Sequence, residues 1–221
     1  MGVVLLVRHG QASFGADDYD VLSGAGWEQG RLLGRWLRDR KVEPTTVLRG
    51  GMRRHRETAE AMSAPGGWPA AAVDPGWDEF DHLGVVAAHP DAPAGELDRR
   101  EFQRVFELAT ARWCGGGHDD EYAEPWPAFR GRVRVSFAAA AAHAGPGGTA
   151  IVVSSGGPIA SVCADLVDPE ADDAMHARLW SRLNTVLVNS SVTRVVVGST
   201  GARLLTFNEH PHLESEHLTY R

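Results

Sequence analysis

The chain predicts an α/β fold, a three-layer α/β/α sandwich around a mostly parallel sheet with an antiparallel edge strand, on three observations. Val3 to Val7 is a short, unbroken apolar run rich in valine and leucine, and Thr149 to Val153 is a second. Unbroken runs of this length read as strands buried on both faces, which is the signature of a parallel sheet covered by helices. Longer stretches with helical apolar spacing lie between the runs, and a late hairpin pattern supplies the edge. At 221 residues the chain can bury one large core, so residues 1–221 are read as a single domain with a helical, lid-like insertion at about 83–130.

The first run ends on Arg8-His9-Gly10. Ligands of open α/β sheets bind beyond the carboxyl ends of the strands, so a rigid strand delivers a cation and an imidazole to a site mouth. Gly10 leaves the backbone free to turn and a group free to approach the ring. An imidazole beside an arginine suits nucleophilic attack on an anionic phosphorus. The loop Gln11 to Asp20 follows as a wall of that site. Ser23 is a predicted N-cap, and Trp27, Leu32, Leu33, Trp36 and Leu37 form the apolar stripe of the next helix. Gly30 and Gly34, four apart, predict close packing of that helix on the sheet.

Thr45 to Leu48 reads as another strand, and the glycine pair Gly50-Gly51 breaks it before Arg53, Arg54, His55 and Arg56. Three arginines at a helix N-terminus oppose the helix dipole unless an anion sits there. Neighbouring residues on a helix point about 100° apart, so one or two of the three face the site and the rest face water. Ala70 to Val73 predicts a third strand, followed by Trp77-Asp78-Glu79-Phe80-Asp81-His82. An acid held among aromatic rings can keep a proton and donate it, and here both Glu79 and Asp81 qualify. Helical stretches are expected at about 96–113 and 126–144. Arg99, Arg100 and Arg104 on the first read as a solvated face.

The run Thr149 to Val153 ends at Ser154-Ser155-Gly156-Gly157-Pro158. Proline fits the first turn of a helix, so the N–H groups of 156 to 159, except that of Pro158, are expected to form a phosphate-sized nest. A helix at about 172–183 precedes the hairpin of 192–207. The tail histidines His210, His212 and His217 lack the spacing of a metal motif and read as solvated.

Composition narrows the function. The formal charge is −7, so no global field favours nucleic acid, and an anionic substrate must be held locally by a few arginines. No apolar segment approaches the roughly 20 residues of a membrane helix, so no membrane partner is expected. Two distant cysteines argue for a reducing compartment, and cytoplasmic is the default reading. No motif asks for a cofactor or a metal. A serine hydrolase built on Ser154 or Ser155 lacks the first glycine of the usual Gly-x-Ser-x-Gly turn.

With these pieces in place the chain resembles the histidine phosphatase superfamily, the phosphoglycerate mutase-like proteins. Arg8-His9-Gly10 matches the family's opening motif, and Leu22-Ser23, Gly26, Gln29-Gly30 and Leu33-Gly34 match the pattern that follows. Gly50 to Glu60 is similar to the second basic motif, which puts the family's second phosphate arginine at Arg54. The acid-bearing segment matches best at Glu79. Two positions depart: Ser155 stands where the family has a second core histidine, before Gly156, and Gly50 stands where it has a serine. The resemblance implies a metal-independent phosphomonoesterase acting on a small phosphorylated substrate through a phosphohistidine on His9. Arg8, Arg54, Ser155 and Gly156 bind phosphate, and Glu79 protonates the leaving group. A weakened or inactive member that binds a phosphorylated ligand or partner is the alternative, and a phosphoglycerate mutase proper is the third. Oligomeric state is not encoded in any motif.

Overall fold

The computed structural model describes residues 1–13, 20–91 and 98–220. Most of the predicted wall at 11–20 and the start of the helical stretch at about 96 therefore fall outside the described residues.

The six strands are β1 (Gly2–Arg8), β2 (Thr46–Arg49), β3 (Ala72–Val73), β4 (Thr149–Ser154), β5 (Val192–Gly198) and β6 (Gly201–Glu209), in the order β3-β2-β4-β1-β5-β6. The first four are parallel, and β5 and β6 form the antiparallel edge. The predicted continuous burial holds for β1: Val4 and Leu6 enter one core, while Leu5 and Val7 enter the other. Register fixes the site, because Arg8 pairs with Ser154 and Arg49 with Val153. The carboxyl ends of β1, β2 and β4 therefore stop at one level.

One face of the sheet carries α1 (Gly24–Asp39) and α2 (Arg53–Gly66). Ser23 caps α1, accepting from the Gly26 N–H. Of the predicted stripe only Leu33 and Leu37 reach the core, while Trp27, Leu32 and Trp36 are half-buried. The buried face is lined instead by Gly26, Gln29, Gly30 and Gly34. The close packing expected of Gly30 and Gly34 is real, but its partner is α2, not the sheet. A Cβ on Gly30 would lie 2.7 Å from Ala61 Cβ, and one on Gly34 would overlap the Met62 carbonyl.

The other face carries α5 (Trp126–Ala144) and α6 (Gly156–Val167), with α7 (Asp173–Asn184) on α6. The second helical stretch of the sequence thus forms part of the layer itself, packed on β1 and β4. Farther out, α3 (His82–Ala87) packs on α4 (Arg99–Cys114), which also touches α7. An aromatic cluster of Phe80, Trp113, Trp126, Phe129 and Trp180 joins these helices, with Phe80 stacked 4.7 Å from Trp113. Cys114 and Cys163 are free and buried, and burial pushes both thiols up to about 12.

The tail departs from the solvated reading. Gln29 on α1 donates to the His217 carbonyl and the Thr219 hydroxyl, both at 2.8 Å, and Asn189 N donates to the Thr219 carbonyl at 2.9 Å. The last residues are therefore pinned beneath the end of β1. Among the described residues no helix is long and apolar enough to cross a membrane.

Candidate active site

His9 is held at the end of β1 from several sides. Its N–H donates to the Ser154 carbonyl at 2.8 Å, and its carbonyl accepts from Asn189 Nδ2 and Ser190 N, each at 3.2 Å. The ring's Nδ1 lies 2.7 Å from the Gly10 carbonyl, so an Nδ1–H satisfies that contact and leaves the Nε2 lone pair for a reacting atom. Burial, then the charges of Arg54 and Arg8 and the neighbouring His55, hold the ring well below its usual pKa. It is neutral at pH 7, the form a nucleophile needs. Gly10 does not open space for an incoming group as its sequence position suggests. It lets the loop press on α1, since a Cβ there would overlap the Gly26 carbonyl, and its N–H donates to Thr58 Oγ1 at 2.9 Å.

Of the three arginines at the start of α2, Arg54 is buried and faces the site, while Arg53 and Arg56 are exposed. The anion demanded at this basic helix terminus is supplied by carboxylates from outside the helix. Asp20 accepts from Arg53 N at 2.7 Å and from Arg54 Nη1 at 2.8 Å, while Asp78 accepts from Gly51 N at 2.5 Å. Arg54 Nη2 reaches to 3.5 Å from Ser155 Oγ. Arg8, beside His9 in the chain, donates from Nη1 to the carbonyls of Leu187 and Tyr220, and its charge acts on the His9 ring.

Asp81 is occupied as the N-cap of α3, accepting from Gly84 N at 2.9 Å, and is exposed. Glu79 instead turns inward between Asp78 and the anchored Phe80, with Oε2 3.1 Å from Gly157 N. The carboxylate thereby sits at the start of α6 and takes one donor of the predicted nest. Ile159 N donates to the Ser155 carbonyl at 3.3 Å and Pro158 has no N–H, so the nest narrows to Gly156. Ser154 is fully buried and donates to the Trp77 carbonyl at 2.7 Å. Ser155, 1% exposed, is the hydroxyl that faces Arg54.

The sequence reading assigned no role to His55. The ring is completely buried, its Nε2 is 2.7 Å from Ser155 Oγ, and its centroid is 5.8 Å from that of His9. Burial, then Arg54 and Arg49, hold it well below its usual pKa. The legible signals were the two departures, Gly50 and Ser155, because both residues touch this ring.

These neutral rings make stability depend on pH. Their folded pKa values lie below the 6.5 of an unperturbed histidine, so below pH 6.5 the unfolded chain binds more protons than the folded one. Stability is complete above that pH and falls as pH falls, by up to about 1.4 kcal/mol per pH unit for each ring. His212, which burial pulls down to about 4, adds to the slope. Melting temperatures between pH 7.5 and 5 should therefore decline, and His9→Gln should make the decline shallower. A flat profile would contradict the buried neutral state.

A histidine at a strand end, a buried arginine, an inward-turned glutamate and a serine at a helix start thus converge on one crevice. The model of the histidine phosphatase superfamily, branch 1, matches residues 4–210, and the chain belongs to that superfamily. Similar solved structures include the phosphoserine phosphatase of Entamoeba histolytica, with TM-score 0.67 and 15% identity over 97% of this chain and 100% of that one. A mycobacterial glucosyl-3-phosphoglycerate phosphatase gives 0.65 and 21% over 95% and 100%. The alpha-ribazole phosphatase of Shigella flexneri gives 0.64 and 19% over 94% and 96%. No curated protein matches the sequence. Among the described residues no cluster of three or more His, Cys, Asp or Glu side chains is arranged to hold a metal ion.

Proposed function

We propose that this protein is a metal-independent phosphomonoesterase that works through a phosphohistidine on His9. The observation that carries the reading is the neutral His9 ring, its Nδ1 tied to Gly10 and its Nε2 left for attack beside Arg54. In the first step Nε2 attacks phosphorus and the P–O bond to the leaving group breaks. Arg54, Arg8, Ser155 and the Gly156 N–H stabilise the phosphoryl oxygens, with guanidinium charge in the role a metal fills elsewhere. Glu79 gives its proton to the departing alkoxide. In the second step water attacks the phosphohistidine, Glu79 takes the water's proton, and His9 and inorganic phosphate are released. Before substrate enters, Asp20 occupies the Arg54 guanidinium, so the phosphoryl group competes with that carboxylate.

The substrate is read as a small phosphorylated molecule, selected by the lid-like residues at about 83–130, in the cytoplasm. With a hydroxyl at Ser155 in place of a second imidazole, turnover is lower than in a two-histidine site, where one electrostatic donor is worth about 10²- to 10³-fold. That substitution is also what favours the second reading, a weak or inactive member that binds a phosphorylated ligand.

The test is hydrolysis of p-nitrophenyl phosphate and of an alkyl phosphate with chelator present. Glu79→Gln should cost about 10²-fold or more with the alkyl ester, whose alkoxide needs a proton, and clearly less with p-nitrophenolate, which leaves as a stable anion. Equal losses on both esters would remove Glu79 as the acid. A wild type that binds orthovanadate but hydrolyses neither ester would favour the binding protein.

A further inference from the structure

The mechanism above leaves one buried titratable group at its centre unused. His55, the third residue of α2, has no exposure, and a fully buried imidazole is costly unless its nitrogens are used. Nε2 is used, at 2.7 Å from Ser155 Oγ. Nδ1 lies 3.8 Å from Asp78 Oδ1, in space that exists because residue 50 is glycine. A Cβ at Gly50 would overlap His55 Nδ1 and stand 2.6 Å from Asp78 Oδ1. Ser155 Oγ in turn lies between the imidazole and Arg54 Nη2, at the end of β4 and next to His9. Two independent elements, the glycine after β2 and the serine after β4, are thus shaped around one ring.

We infer that His55 and Ser155 act as one unit of the phosphate pocket, the α2 imidazole orienting the serine hydroxyl so that it donates to a phosphoryl oxygen. The inference rests on the phosphatase reading and makes His55 a positioning residue, since Ser155 lies between it and the substrate. Burial first, then Arg54 on its own helix and Arg49 at the end of β2, oppose a second proton on the ring, while the Asp78 carboxylate lies on its Nδ1 side and His9 across the pocket is neutral. In the empty pocket the ring carries its proton on Nδ1 toward Asp78, and Ser155 donates to Nε2. A bound phosphate dianion offsets the two arginines, so the ring takes one proton from solvent at Nε2. Nε2–H then donates to Ser155 Oγ, and the serine O–H turns to the phosphoryl oxygen. His55 forms no bond to substrate and returns the proton when phosphate leaves.

The test uses orthovanadate binding and p-nitrophenyl phosphate hydrolysis on the full chain, for wild type, His55→Ala, His55→Gln, Ser155→His and the double variant His55→Ala/Ser155→His. Both single changes at 55 should weaken vanadate binding and lower kcat by about 10²-fold. The double variant, which returns an imidazole from β4 into the vacated space, should recover most of that loss. Ser155→His alone should not gain activity, because its ring meets that of His55. Folded His55→Ala and His55→Gln proteins that bind vanadate and turn over like wild type would overturn the proposal while leaving the phosphatase reading intact. So would a loss that tracks a fall in melting temperature and that the double variant does not recover, which is the behaviour of a ring that only fills space. A wild type that neither binds vanadate nor hydrolyses the ester would overturn the phosphatase reading and this proposal together.

Discussion

His9→Ala is expected to reduce phosphomonoester hydrolysis by about 10⁴-fold or more, the largest effect of any single change in the protein. Loss of a covalent nucleophile removes the reaction path itself, and the remaining oxyanion contacts support only a residual rate. Burial separates this effect from misfolding. The His9 backbone is held by Ser154, Asn189 and Ser190, none of which depends on the imidazole, so the variant should melt cooperatively and still bind orthovanadate. Steady-state kinetics beside a thermal melt checks both halves. A folded His9→Ala protein with wild-type turnover would end the account.

Arg54→Ala is expected to cost about 10²- to 10³-fold in kcat/KM, the second largest effect. Arg54 is the one buried guanidinium at the start of α2, and it reaches both Asp20 and Ser155. Arg54→Lys should restore little, because an ammonium cannot span those two partners as the planar fork does. Arg53→Ala and Arg56→Ala, at exposed positions on the same turn, should change kcat/KM by less than about threefold if their charges are screened as surface charges are. Parallel kinetics of the four variants would read the contrast. Equal losses at 53, 54 and 56 would mean that the cluster acts only as a diffuse basic surface.

The sheet was legible because its evidence is local. Val3 to Val7 and Thr149 to Val153 can be buried only as strands covered on both faces, and their shared register then places Arg8, His9 and Ser155 together. The choice of Arg54 over its neighbours was legible only through the family motif, since a helical turn of arginines does not reveal which one points inward. His55 was hidden for the same reason, and its burial is decided by Ser155 and Asp78, residues far along the chain. The nest at 156–159 was overestimated because nothing in that segment announces that Glu79 takes the Gly157 N–H. The tail was misjudged likewise: polar residues read as solvated until Gln29, buried on α1, is seen to need them as partners. Gly30 and Gly34 read as close-packing sites on the sheet, but the surface they meet is α2, and that Gly50, read only as a strand breaker, makes room for the imidazole of His55 is likewise a tertiary fact.

The central claim is the phosphohistidine, and rapid-quench mixing with a phosphorus-labelled ester tests it most directly. The account predicts label on the protein before steady state, lost in acid and retained in base, mapping by peptide mass to His9 and absent from His9→Ala. Turnover with no protein-bound label at any time, or an acid-stable label mapping to Ser155, would contradict it.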